Sequence, residues 1–340
     1  MMVKKTGLVD IAREAGVSTA TVSRVLNDSE KVTAKTRERV LAVVERLNFR
    51  PDLSASTLRR GRSKTIGIAV ASISQPWYVK LIRALRAEIT SRGYTTVVYD
   101  LEHSDDVLIE HMENAISLRL AGMVLATGDR LDAAGVHGAL ENVAASIPLV
   151  VIGQRTAGAN WPTVRFDDFE ASRRAAAELI SRRARPLLVI ARSTTSHLAQ
   201  LRVSGALAAL HEHPALQGGS HVVDLEGPMS FEVGYAIGSG LGERLRQFGA
   251  VFCVNDELAL GLARAASEID IRIPGDLLVL GYGDIDVLPF LTPSLSSVSG
   301  DAQHVARDGL SALFSMIQDQ PYAEDVIVER SIIHRESTSC

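Results

Sequence analysis

Apolar residues in the first fifty positions recur at helical spacing, in three separate bursts. Leu8, Ile11, Ala12 and Ala15 follow the i, i+3, i+4, i+7 pattern of one buried stripe. Thr6 is placed to cap that helix, and Gly16 to stop it, because glycine enters the left-handed conformation at little cost. Only Val17 separates the stop from Ser18, a good N-cap for a second helix. Val22, Val25 and Leu26 line its inner face, and Asn27-Asp28 ends it. A third helix follows Thr33 and turns Val40, Val43, Val44 and Leu47 inward, leaving Lys35, Arg37, Arg39 and Arg46 on its other surface. Two short helices joined by a glycine-containing turn and buttressed by a third make a helix-turn-helix unit. Residues 1–50 are therefore expected to form an all-α head.

Pro51 must end the third helix, since the residue before proline is pushed out of the helical region. Residues 51–64 then read as a hinge helix and basic linker, too short and polar to be stable alone. From Thr65 the period changes. Apolar runs at 65–71, 94–101, 122–126, 148–152, 186–191, 222–225, 250–254 and 277–281 alternate with amphipathic stretches such as 77–92. Continuous apolar strands alternating with helices imply parallel sheets covered on both faces. Residues 65–340 suffice for two doubly wound lobes, with a ligand cleft expected between them at the carboxyl ends of the strands.

Composition narrows the class. The 340 residues are 46% hydrophobic and 22% charged, which is globular. No apolar run approaches the ~18 residues of a membrane span, and no signal-peptide core follows Met1-Met2-Val3-Lys4-Lys5. Cys253 and Cys340 make neither a disulfide framework nor a metal-ligand spacing. A cytoplasmic, nucleoid-associated protein with no membrane partner is expected. No Gly-rich phosphate loop or Gly-x-Ser-x-Gly elbow occurs, and His211 and His213 alternate near a helix end without forming a cluster. Catalytic residues, metal sites and cofactors are accordingly not expected.

Charge is divided unevenly. Residues 1–64 hold 14 Lys+Arg against 7 Asp+Glu, a balance of +7, and the remainder carries −11. A basic head on an acidic body points to the head as the part that meets a polyanion. In a helix-turn-helix the N-terminal part of the second helix enters the major groove. That part is Thr19, Ala20, Thr21 and Ser23, with Arg24 one turn on. Arg24 has the fork geometry for guanine edges, while Thr21 and Ser23 suit phosphates. A small bundle holding some other partner is the alternative.

Val9-Asp10-Ile11-Ala12, Ala15-Gly16-Val17-Ser18, Thr21-Val22-Ser23-Arg24-Val25-Leu26-Asn27 and Val32-Thr33-Ala34-Lys35-Thr36-Arg37 resemble the head of the lactose/galactose repressor family. The resemblance implies a dimeric transcription regulator: an N-terminal helix-turn-helix domain followed by a periplasmic-binding-protein-like α/β domain. That domain (65–340) would bind an effector and dimerise. The resemblance places Thr19, Ala20 and Arg24 at base-reading positions; Thr6, Ser18, Asn27 and Thr33 complete the contacts expected of the head. Leu53, Ala55 and Leu58 would contact DNA from the hinge, Leu58 as a wedge in the minor groove; a plain tether is the alternative. Asp52 and Ser56 depart from the family's usual Asn and Arg and weaken the hinge's phosphate contacts. The partners implied are a pseudo-palindromic operator, a second copy of the chain and a sugar-like or anionic effector. The short stretch after Arg335 has no room for a heptad tail, so a dimer is favoured over a tetramer.

In the large domain, Ile73-Ser74-Gln75-Pro76-Trp77-Tyr78 resembles the family's first-lobe loop, which gives Ser74, Trp77 and Tyr78 as effector contacts. Val254-Asn255-Asp256-Glu257-Leu258-Ala259-Leu260-Gly261 resembles a second-lobe signature in which Asn255 meets a ligand hydroxyl. Asp256 is at least as good a helix cap. Arg202 matches the family's effector arginine. Gly153, Gly283 and Gly300 stand where relatives carry Asp, Asp and Gln, while Asp284 comes one position late. With Arg155 nearby and Ser193 in a hydroxyl-rich turn, this predicts a cleft poor in negative charge. Such a cleft would suit a carboxylate or phosphate, or a bulky neutral molecule given room by the glycines.

The hinge reading generates a direct test. Leu58→Ala is expected to reduce operator affinity and DNA bending while leaving the large domain's melting temperature unchanged, as read by gel mobility of circularly permuted fragments and by thermal melts. Unaltered bending would make the hinge a mere tether.

Overall fold

The computed structural model describes residues 7–26, 32–47, 49 and 63–339. The chain forms two compact units, one ending at Ser63 and one beginning at Lys64. Asn27, Leu53, Ala55 and Leu58 lie outside the described residues, as does Thr6.

The first unit contains α1 (Leu8–Glu14), α2 (Thr19–Leu26) and α3 (Ala34–Arg46). The cap of α1 is Gly7 rather than Thr6: the Gly7 N–H donates to Asp10 Oδ2 at 3.0 Å, so the side chain three residues on closes the turn. Ser18 Oγ accepts from the Thr21 N–H at 3.1 Å, and Thr33 caps α3 through the Thr36 N–H. Gly16 takes φ +60° between α1 and α2, which a side chain would resist. Ile11, Ala12, Val22, Val25, Val40 and Val43 are buried together. An ion pair from Arg46 to Glu14 ties α3 to α1.

The second unit is built on two six-stranded sheets. The first runs β11-β5-β4-β3-β1-β2: β1 (Thr65–Val70), β2 (Thr95–Asp100), β3 (Gly122–Ala126), β4 (Leu149–Ile152), β5 (Thr163–Phe166) and β11 (Asp325–Val328). The second runs β12-β10-β9-β8-β6-β7: β6 (Leu187–Ala191), β7 (His221–Asp224), β8 (Ala250–Cys253), β9 (Leu278–Gly283), β10 (Ser296–Ser299) and β12 (Ile332–Ile333). All pairings are parallel except the two-residue edge β12, which lies antiparallel to β10.

Helices cover both faces of each sheet, which is why the inner strands are apolar throughout. On the first sheet, α4 (Pro76–Ser91) and α12 (Ala302–Ile317) pack on one face, and α5 (Asp105–Ser117) and α6 (Ala134–Ser146) on the other. The second sheet carries α7 (Asp168–Arg182), α8 (His197–His211), the short α9 (Pro214–Gln217), α10 (Phe231–Leu241) and α11 (Asp256–Glu268). Because α12 and β11 return to the first sheet, the chain passes between lobes three times: after β5, after β10 and after β11.

Four strands, β5, β10, β11 and β12, lie outside the apolar runs that marked the others. Ser296-Ser297-Val298-Ser299 is a strand although mostly serine. Ser296 and Ser297 are completely buried, their hydroxyls partnered by Thr338 and Asp256. In β5, Arg165 pairs with Asp325 of neighbouring β11, Nε to Oδ1 at 2.9 Å.

Helices α10 and α11 cross with their backbones in contact: Gly234 lies against Leu258, and Gly261 against Phe231 and Tyr235. A methyl at Gly261 would overlap the Phe231 carbonyl oxygen. Gly261→Ala is therefore expected to destabilise the protein by about 1–3 kcal/mol or more, as forced overpacking does, despite alanine's better helix propensity. Urea unfolding of the variant decides it, and a neutral or stabilising effect would show that the helices can part.

Candidate functional site

On the head, Ser18, Thr19, Ala20 and Arg24 are exposed, with Thr21 and Ser23 half-buried. They sit at the start of α2 and along its outer face, opposite Val22 and Val25. The Thr21 hydroxyl lies 2.9 Å from Ser18 Oγ, so these two groups serve the helix cap first. Thr33 is exposed at the start of α3.

In the second unit, a cavity of about 80 Å³ opens between the lobes. It has space for about half a dozen water-sized groups. Trp77 and Tyr78, at the start of α4, wall it from the first lobe; Arg202 and Asn255 do so from the second. Trp77 donates through Nε1 to the Gly300 carbonyl at 3.4 Å and meets Tyr78 and Phe166 edge-on. Tyr78 accepts from the Gly128 N–H at 3.1 Å, and burial raises its hydroxyl above the ordinary tyrosine range.

Arg202 is no exposed helix arginine. Its Nε donates to Asp168 Oδ1 at 2.9 Å, its Nη1 donates to the Val254 carbonyl at 2.7 Å, and its guanidinium lies 4.0 Å over the Tyr282 ring. Arg330 approaches the same Asp168 oxygen, Nε at 3.2 Å, within ion-pair range but off the line of a hydrogen bond. Arg330 also stacks 3.7 Å over Phe166 and donates to the Ser299 carbonyl. The Tyr282 hydroxyl completes the group by donating to Asp168 at 2.7 Å. Burial alone would raise the Asp168 carboxyl, but Arg330, Arg202 and Tyr282 outweigh it and hold it below the usual range.

Asn255, not Asp256, caps α11: its Oδ1 accepts from the Leu258 N–H at 3.0 Å and its Nδ2 donates to the Met229 carbonyl. Asp256 is buried behind it, accepting from Ser297 Oγ and the Ile285 N–H, and burial pushes its carboxyl up to about 6.

Four sequence-based candidates stand elsewhere. Ser74 lies at a separate surface depression beside Pro76 and Lys80, its hydroxyl 2.7 Å from Ser72 Oγ. Arg155 is exposed and donates to the Glu324 carbonyl at 3.5 Å. Ser193 is turned to Asp224, which takes both its N–H and its hydroxyl. Asp284 has φ +55° and is committed to Arg335 at 2.7 Å. None of the four lines the cavity.

The cavity is also not poor in carboxylates. Asp129 and Glu257 line it and Asp168 lies behind Arg202, so carboxylates are present despite the glycines at 153 and 283. Asp129 Oδ1 accepts from Arg192 Nη2 at 2.9 Å, and Oδ2 lies 2.7 Å from His103 Nδ1. Arg192 immediately follows β6 and Asp129 closely follows β3, so the rule that ligands meet the carboxyl ends of strands pointed to both. Arg330 gave no local signal.

Within the described residues, no helix is long and apolar enough to cross a membrane, and no His/Cys/Asp/Glu group is arranged to hold a metal ion.

Comparison with known proteins follows this division. Residues 7–52 match "Bacterial regulatory proteins, lacI family", and residues 176–338 match "Periplasmic binding protein-like domain". The chain is 29% identical over 322 residues, 94% of each chain, to the HTH-type transcriptional repressor PurR of Pasteurella multocida (strain Pm70). It is 28% identical to catabolite control protein A of Staphylococcus aureus (strain Mu50 / ATCC 700699), over 97% of this chain and 98% of that one. The solved lac repressor dimer, bound to operator and the anti-inducer ONPF, superposes with a TM-score of 0.87 at 25% identity, covering 99% of this chain and all of that one.

Removing the shared carboxylate leaves two buried guanidiniums uncompensated. Asp168→Ala is expected to cost about 3–5 kcal/mol at neutral pH. Asp168 is held below its ordinary range, so its contribution is present at neutral pH and lost as pH falls through the depressed value. Wild-type and variant stabilities, measured by urea unfolding across pH, should therefore converge toward acid.

Proposed function

The chain belongs to the lactose/galactose repressor family of DNA-binding transcription regulators, and we propose that it is a dimeric repressor controlled by a small polar metabolite held between its lobes. The observation that carries the sensing role is the interlobe cavity, whose wall mixes side chains from both sheets. A molecule bound there interacts differently with open and closed lobes, and only such a difference can shift an equilibrium.

Several contacts across the cleft would have to rearrange. Ser196 Oγ donates to the Gly128 carbonyl at 3.1 Å, Arg130 Nη2 donates to Gln200 Oε1 at 2.7 Å, and Arg192 pairs with Asp129. Trp77, Tyr78, Arg202 and Asn255 are the sequence-predicted residues we retain for the effector; Arg192, Asp129 and Glu257 join them. Residues 51–64 then relay the change to the head.

A single helix-turn-helix reads few base pairs, so two heads on a two-fold dimer fit a pseudo-palindromic operator. Phe290, 85% exposed, and Val287 beside it offer apolar surface for a second copy. Thr19, Ala20 and Arg24 read bases in this scheme, Arg24 carrying the polar discrimination. The family consists of regulators, and we assign no enzymatic role.

An operator selected from a random duplex library makes the scheme testable by fluorescence anisotropy. Affinity should fall with salt at a log–log slope of about −0.9 per phosphate neutralised. Arg24→Ala should cost about 1–3 kcal/mol on the selected site and little on random duplex. Equal losses on both would make Arg24 a phosphate contact.

A further inference from the structure

One side of the cleft is shut by main chain. Gly128-Asp129-Arg130 follows β3 in the first lobe, and Thr194-Thr195-Ser196 follows β6 in the second. The two segments meet antiparallel, Asp129 opposite Ser196, in a bridge outside both sheets. Across it the Leu198 N–H donates to the Gly128 carbonyl at 3.3 Å, and the Arg130 N–H donates to the Thr195 carbonyl at 3.4 Å. Side chains reinforce both ends. Arg130 Nε donates to the Thr194 carbonyl at 3.3 Å, beside its bond to Gln200, and Ser196 Oγ donates to the Gly128 carbonyl.

Each half of this clasp is set by its own lobe. In the first, the Tyr78 hydroxyl accepts from the Gly128 N–H, Thr127 Oγ1 accepts from the Asp129 N–H at 3.0 Å, and Gln154 Nε2 donates to the Asp129 carbonyl. In the second, Asp224 takes both the N–H and the hydroxyl of Ser193, and Ser196 Oγ caps α8 by accepting from the Ala199 N–H at 3.2 Å. The hydroxyl-rich turn is thereby committed to presenting carbonyls to the other lobe. Segments fixed in advance lose little freedom when they meet.

Two further features bear on its role. Leu198 is the second residue of α8, where a helix has no carbonyl of its own to offer an N–H. Gly128 supplies that carbonyl from the other lobe, so parting the lobes leaves both groups to solvent. The clasp also divides two spaces. Asp129 and Arg192, paired across the cleft, wall both the cavity and a wider outer depression, which Arg130, Thr194 and Thr195 also line. The chain passages leave from β5, β10 and β11, whereas β6 is separated from β10 by β9 and β8.

We propose that this clasp is a latch built into the chain. Chain-to-chain bonds alone hold the lobes closed, the closed cleft is the resting state, and traffic between the outer depression and the cavity waits on the latch opening. The gating role rests on the cleft being the sensing site; the resting closure does not.

The test uses full-length protein dialysed free of small molecules, without DNA. Hydrogen exchange at the Leu198 amide should be about a hundredfold or more slower than in the unfolded sequence. Arg130→Ala combined with Gln200→Ala should speed it roughly tenfold while exchange within β6 stays unchanged, which separates local opening from global destabilisation. A second variant, Gly128→Cys with Leu198→Cys and Cys340→Ser, reads closure directly. A Cβ at position 128 lies 3.5 Å from the Leu198 Cβ, inside the range for a disulfide, and the remaining Cys253 is buried. Mild oxidation should protect both new thiols from alkylation in most molecules. The locked protein's affinity for the selected operator should then ignore a whole-cell metabolite extract to which the reduced form responds. Leu198 exchange at the unprotected rate, thiols that stay free, or a locked protein that answers the extract as the reduced one does overturns the proposal. The first two are read without effector, so they remove the latch and leave the sensing cleft in place. Wild-type operator affinity indifferent to the extract would instead remove the sensing role, and the gating with it.

Discussion

The second unit hangs on one buried ionic knot. Asp168 opens α7 just after the first passage between lobes, and Arg330 sits on the third. Arg330 reaches the Ser299 carbonyl on the second passage, and Trp77 reaches the adjacent Gly300. Asp167 accepts the Arg330 backbone N–H at 2.9 Å, and Arg174 bonds both Asp167 and the Arg330 carbonyl. Three chain segments that would otherwise be loose connectors are thus bound to one another by charge-assisted hydrogen bonds at low dielectric.

That arrangement has a cost that the geometry offsets. Burying three charges is unfavourable unless each is hydrogen-bonded, and here Tyr282, two backbone carbonyls and two aromatic faces take up most of the remaining valences. Several of the same groups line the cavity, so the part of the molecule that joins the lobes is also a wall of the interlobe space.

The head depends on a different kind of interaction. Its core is seven small or medium apolar side chains, Ile11 the largest among them, and its stability leans on caps: Ser18, Thr33 and the Asp10 carboxylate at Gly7. Such a unit is held by short-range sequence signals, and it leaves the outer face of α2 exposed. The large unit is held by contacts between residues more than a hundred positions apart, such as Tyr282 with Asp168 and Trp77 with Gly300.

This contrast sets what each level decided. The sequence by itself determined the three head helices, because a 3.6-residue stripe, a capping hydroxyl and a stopping glycine are local physics. It also determined the inner strands and the two-lobed α/β class, because a strand covered on both faces must be apolar throughout. Local reading misplaced the first cap, assigning it to Thr6 when the Asp10 carboxylate makes Gly7 the boundary. Only the tertiary structure decided the serine-rich strand β10 and the arginine-bearing β5, since their polar groups are tolerable in a sheet only once Asp256 and Asp325 arrive from elsewhere. It likewise decided the cavity's chemistry. Ser74, Arg155, Ser193 and Asp284 had the right residue types but bond to Ser72, Glu324, Asp224 and Arg335 away from the cavity, whereas strand ends and chain passages brought Arg192, Asp129, Glu257 and Arg330 together. A side chain's type is written in the chain; whether it is spent on a neighbour or left for a ligand is settled by packing.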